Sequence, residues 1–149
     1  MADSDPYRLS RFVEAQRGVY AGALAEIRAG RKRSHWMWYI FPQIAGLGSS
    51  PMAEKYAIQS VAEAKAYLVH PVLGTRLIEC CEAAVAVEGR TAHEIFGSPD
   101  DLKLRSSATL FAKVSPAGSV FERLLAKYYE GDRDERTLRL LGGEHEPPL

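Results

Sequence analysis

Only two cysteines occur, and they are adjacent, Cys80-Cys81. Neighbouring side chains on a helix diverge, so a disulfide between them would be strained, and both are read as reduced, small buried hydrophobes. Net charge is missing as well, because 19 Lys plus Arg balance 19 Asp plus Glu. With 46% hydrophobic residues, that balance excludes a disordered polyelectrolyte and argues against a bulk nucleic-acid coat. No apolar run approaches the roughly 18 residues of a membrane span; the longest, Trp36 to Pro42, falls far short, so no membrane role is expected. Met1-Ala2-Asp3-Ser4-Asp5-Pro6 has no basic lead into an apolar stretch. No secretory signal is read there, and a cytoplasmic location is expected. The chain also lacks a Gly-x-Ser-x-Gly elbow, a Walker loop and a Gly-x-Gly-x-x-Gly turn. Its histidines, His35, His70, His93 and His145, fall in separate elements without close ligand spacing, so no metal site and no cofactor is expected.

What is present suffices for one core. The 149 residues suit a single compact domain, expected over 1–141, with 142–149 as a mobile tail rich in Gly, Glu and Pro. Helical spacing runs from Leu9 through Phe12, Val13, Tyr20, Ala23, Leu24 and Ile27, softened at Gly18 and Gly22 and ended by Gly30, giving a helix or helix pair. Ser50-Pro51 opens a short helix, and Ser60-Val61-Ala62-Glu63 has the form of a capping box leading to about Val69. After His70-Pro71, Leu73, Leu77, Cys80, Ala84 and Val87 mark the clearest buried helix. Thr91-Ala92-His93-Glu94 is a second capping-box match, opening a short turn closed by Gly97. Helices then follow from Ser98-Pro99-Asp100, with Leu104, Ala108 and Phe111 inward, from Val120 to Tyr128, and around Leu138 and Leu141. Alternating strands, hairpin turns and repeats are absent. The fold class is all-α, with about seven helices around one core and a buried aromatic segment at 35–42.

Two stretches break the plain helical pattern. His35-Trp36-Met37-Trp38-Tyr39-Ile40-Phe41-Pro42 is apolar on every side, either a buried helical turn or an extended segment through the core. Lys32 and His35 before it and Gln43 after it could instead line a pocket that stacks aromatics against a planar ligand. In the second stretch, Lys103, Ser106 and Ser107 share a helix face bordering Leu104, Ala108 and Phe111. Its hydroxyls either bond back to carbonyls one turn earlier or face a ligand. Charge along the chain is uneven: residues 1–48 carry seven basic against four acidic residues, the remainder twelve against fifteen, so the parts are +3 and −3. The excess gathers at Arg28, Arg31, Lys32 and Arg33, where it serves either as a solvated helix end or as an anion-holding cluster.

Gly30 to Gln43, with its His-Trp-Met-Trp run ending in Phe-Pro-Gln, then Gly46-Leu47-Gly48, Tyr56-Ala57-Ile58, His70 to Gly74, Ile95-Phe96-Gly97 and Lys103 to Phe111 together resemble a bacterial family of domains of unknown function, number 1810. The resemblance covers nearly the whole chain and implies a small all-α domain, without an established activity, cofactor or catalytic residue. Ala108 stands where a larger apolar residue is more usual in that family. Members are sometimes labelled calpastatin, but that inhibitor is a disordered repeat protein, and this chain is neither disordered in composition nor repetitive.

Three functions compete. The first is a small-molecule binding protein or enzyme acting on an anionic, nucleotide-like or phosphorylated ligand. Lys32, Lys103 and Arg76 would hold charge, Trp36 or Trp38 would stack, and Gln43, Tyr56, Ser106 and Ser107 would orient. His35 would be the catalytic acid or base, since histidine titrates near neutrality. The second is a protein or nucleic-acid interaction module using the basic and aromatic segment 28–43, with net neutrality arguing against nucleic acid. In the third, every aromatic is core and every polar group a cap.

Overall fold

The computed structural model describes residues 5–145, and among them every named element is a helix. In chain order these are α1 (Ser10–Gln16), α2 (Tyr20–Arg28), α3 (Met37–Ile40), α4 (Pro51–Lys55), α5 (Val61–Val69), α6 (Leu73–Ala86), α7 (Ala92–Phe96), α8 (Asp100–Lys113), α9 (Val120–Tyr129) and α10 (Glu135–His145). The all-α expectation holds, with ten helices rather than about seven. The surplus has local causes. Gly18, at φ +76°, takes a left-handed conformation that splits the first amphipathic stretch into α1 and α2. The aromatic run resolves as one helical turn, α3, and the Thr91 turn as α7. Residues 142–145, assigned to the tail by composition, continue α10; the rest of the expected tail, 146–149, lies outside the described residues.

Caps set several helix starts. Ser50 Oγ accepts from the Ala53 amide at 3.1 Å, and Thr91 and Glu94 complete a capping box, at 3.0 and 2.9 Å. At α5 Ser60 Oγ accepts from the Glu63 amide at 3.0 Å, but the Glu63 carboxylate turns to the Gln59 amide at 2.8 Å and to Arg11 Nη2 at 3.0 Å. His70-Pro71-Val72-Leu73-Gly74 is a tight corner. The His70 Nδ1 accepts from the amides of Val72 and Leu73 at 3.1 and 3.2 Å. A Cβ at Gly74 would lie 1.9 Å from the Leu68 carbonyl oxygen, so α6 can follow α5 this closely only with glycine there.

α8 is the spine. It packs against α5, α7, α9 and α10, while α6 packs against α2, α5 and α9. From Ser106 to Ala112 every residue of α8 is buried. The Ser106 and Thr109 hydroxyls donate to the carbonyls of Leu102 and Arg105, at 3.2 and 2.8 Å, the one-turn-back bonds that let hydroxyls sit inside a helix. An aromatic chain runs through the core from Phe12 to Tyr67, Phe111 and Phe121, with ring centroids 5.1, 5.4 and 5.7 Å apart. Cys80 and Cys81 are free and buried in α6, and burial pushes the Cys80 thiol up to about 12.

Candidate functional site

Pro42 ends the aromatic turn and delivers Gln43 into a loop that returns beside residue 58. The Ile58 amide donates to the Gln43 carbonyl and the Ala45 amide to the Ile58 carbonyl, both at 2.8 Å, forming a two-residue parallel bridge. The backbone at Gln43 is thereby pinned. Its half-buried side-chain amide makes no hydrogen bond to any described residue. Arg11 braces the far side of the loop, donating to the carbonyls of Lys55 and Ala57 at 2.7 Å each and pairing with buried Glu63.

Two adjoining cavities open against this loop and share Trp38, Gln43, Leu47, Gly48 and Ala53 as walls. The smaller, about 210 Å³, adds Tyr56, Gln59 and Glu54. The larger, about 580 Å³, adds the start of α8, with Lys103, Arg105 and Ser106, and Asp134 with Arg136 from the start of α10. Their volumes together lie in the usual range of small-molecule sites, roughly 300–1,000 Å³.

Charge in the larger cavity is lopsided, with Lys103, Arg105 and Arg136 facing one lining carboxylate, Asp134. That carboxylate is partly used: its Oδ2 accepts from the Thr137 amide and hydroxyl at 3.0 and 2.6 Å, and its Oδ1 lies 3.9 Å from Arg105 Nη2. The Arg105 Nε is buried without a hydrogen-bond partner, among the described residues the sole such side-chain atom. An unmet buried donor costs about 1–3 kcal/mol, more when charged. Lys103 Nζ stands 5.4 Å from the Trp38 ring centroid and 3.6 Å from Asp100 Oδ1. Arg136 Nη2 reaches the Gly46 carbonyl at 3.3 Å, tying α10 to the loop that walls both cavities.

Of the residues singled out by sequence, the fold brings Trp38, Gln43, Tyr56, Lys103 and Ser106 to these cavities. Four others are paired or buried elsewhere. Lys32 pairs with Asp100 at 2.9 Å with its side chain 7% exposed, 4.8 Å from the Trp36 ring centroid. Trp36 is buried and donates to Glu26 Oε1 at 2.9 Å. Arg76 donates to the Gln16 Oε1 at 3.1 Å and lies 4.8 Å from the Tyr20 ring centroid. Ser107 is buried in α8. His35 is exposed and lines neither cavity. The segment 28–43 is not one exposed surface either, because Trp36, Met37, Ile40 and Phe41 are core.

Arg105, Arg136 and Asp134 escaped the sequence reading. Arg105 carries a usable signal, sitting between Lys103 and Ser106 on the same helix. Arg136 carries none, because its place depends on a contact to Gly46, distant in sequence. Among the described residues, no group of three His, Cys, Asp or Glu converges to hold a metal ion, and no helix is long and apolar enough to cross a membrane.

The chain is similar to a conserved hypothetical protein, Rv1873, from Mycobacterium tuberculosis, whose crystal structure superposes with a TM-score of 0.91 at 57% identity, over 93% of this chain and 99% of that one. No curated protein matches. The model of a family described as proteins of unknown function, DUF1810, matches residues 6–141, and the chain belongs to that family.

Proposed function

We propose that the larger cavity binds a small phosphorylated or otherwise anionic molecule, held by Lys103, Arg105 and Arg136 beside the Trp38 indole. One observation carries the reading: three cations, Lys103, Arg105 and Arg136, line a ligand-sized hollow whose one lining carboxylate is Asp134, with Asp100 paired to Lys103 from outside the lining. Guanidinium groups bind phosphate and carboxylate through paired, charge-assisted hydrogen bonds, and partial burial strengthens such contacts relative to open water. The lining contains no histidine, so the reading is one of binding and leaves His35 outside it.

Thermal unfolding tests it. A ligand that binds only the folded chain stabilises it, by about 2.7 kcal/mol at 100 times its Kd. Wild type, Lys103→Ala and Arg136→Ala are melted with a panel of sugar phosphates, nucleotides and carboxylates. Phosphorylated compounds should raise the wild-type Tm, and both variants should respond less. A panel without effect, or variants that respond as wild type does, would overturn the reading.

A further inference from the structure

The two adjoining cavities differ in chemical character. Three cations surround the larger, whereas the smaller has one charged lining residue, Glu54, together with Gln43, Gln59 and Tyr56. Ile44, Leu47 and Ala57 supply apolar wall between those polar groups. The Gln43 amide borders both halves and, like the Tyr56 hydroxyl, makes no hydrogen bond to a described residue. An amide both donates and accepts, which suits the mixed edge of a heterocycle. Trp38, a wall of both halves, offers a surface to a flat ring. Glu54 repels a second anionic group at this end, so a ligand with a charge at each end is disfavoured there. A sugar phosphate alone would leave the smaller half unfilled.

Building on the anion-binding reading above, we propose that the ligand is a nucleoside 5′-phosphate, with its phosphate among Lys103, Arg105 and Arg136 and its base in the smaller cavity beside Trp38. Gln43 and Gln59 read the base edge, and the sugar spans the junction at Leu47 and Gly48. Phosphate contacts supply the charge-dependent part of the affinity. The base contacts supply selectivity over simpler phosphates, because a site with free polar groups disfavours a ligand that leaves them unpaired.

Calorimetric titration with adenosine, guanosine, cytidine and uridine 5′-monophosphates, ribose 5-phosphate and inorganic phosphate tests the proposal on wild type, Gln59→Ala and Arg136→Ala. Gln59 and Arg136 are both exposed, so neither variant removes core packing. At least one nucleotide should bind wild type tenfold or more tightly than ribose 5-phosphate. Gln59→Ala should shrink that margin severalfold, and Arg136→Ala should weaken nucleotide and ribose 5-phosphate together. Nucleotides binding no better than ribose 5-phosphate, or a margin untouched by Gln59→Ala, would overturn the base assignment while leaving the anion site standing. If no phosphate-bearing compound binds, the nucleotide assignment falls, and the anion-binding reading falls with it unless a carboxylate of the melting panel stabilises the wild type.

Discussion

At Glu26 four donors converge on one carboxylate. The amides of Arg33 and Ser34 reach Oε1 at 2.9 and 3.1 Å, the Trp36 Nε1 reaches the same oxygen at 2.9 Å, and the Ser34 hydroxyl reaches Oε2 at 2.7 Å. Burial alone would raise this pKa; the hydrogen bonds outweigh it and hold the group at about 2. An unfolded glutamate titrates near 4.3, so the stabilisation is fully present above that pH and is lost as pH falls through the folded value near 2. Glu26→Ala should cost roughly 1.5–3 kcal/mol at neutral pH, the range for hydrogen bonds to charged groups. Urea unfolding between pH 5 and pH 2 should show wild type losing more stability than the variant; parallel pH curves would contradict this account. Trp36 is legible in sequence both as a buried aromatic and as a stacking residue for a ligand; the fold keeps only the first, and its indole N–H has an acceptor ten residues earlier, across a turn, that no local pattern announces. His35, next to it, looked chemically apt for its residue type alone, yet the turn leaves it in solvent.

Among the elements, legibility followed how local the determining interaction was. Ser50, Thr91 and the period of Leu73, Leu77, Cys80 and Ala84 act within a turn or two, and α4, α7 and α6 form where those signals predict. The aromatic run has no period to read, so its single helical turn emerges only from packing. Lys32 shows the same limit. Its charge suggested a ligand group, whereas the fold sets it against the first turn of α8, paired with Asp100 at 2.9 Å with both side chains largely buried. Removing one partner of such a pair typically costs about 3–5 kcal/mol. Lys32→Ala should therefore fall near the lower end of that range in chemical denaturation, because Asp100 keeps Lys103 nearby, at 3.6 Å. Its Tm should still rise with phosphorylated ligands wherever the wild type responds. A variant of unchanged stability that has lost the ligand response would instead make Lys32 a binding residue.

For the whole molecule, the site exists only where three distant parts of the chain meet: α3 with the loop that follows it through Gly46 to α4, the first turns of α8 and the start of α10. Sequence reasoning could gather the aromatic run ending in Gln43 and the Lys103 to Ser107 stretch, because each carries an unusual local pattern, whereas it reads 44–49 only as a loop. It could not supply Arg136 or Asp134, which look like ordinary surface charges near the end of the chain. A competing cluster of exposed arginines, Arg31, Arg33 and Arg90, lines a separate shallow recess beside Glu26. Locating phosphate binding between these two places is therefore decisive. The direct measurement is a titration of isotope-labelled protein with ribose 5-phosphate, followed by backbone amide chemical shifts. Shifts should concentrate at residues 43–50, 102–106 and 134–137 and weaken in Arg136→Ala; shifts confined to Arg31, Arg33 and Arg90, or none at saturating ligand, would contradict the assignment of the cavity as the anion site.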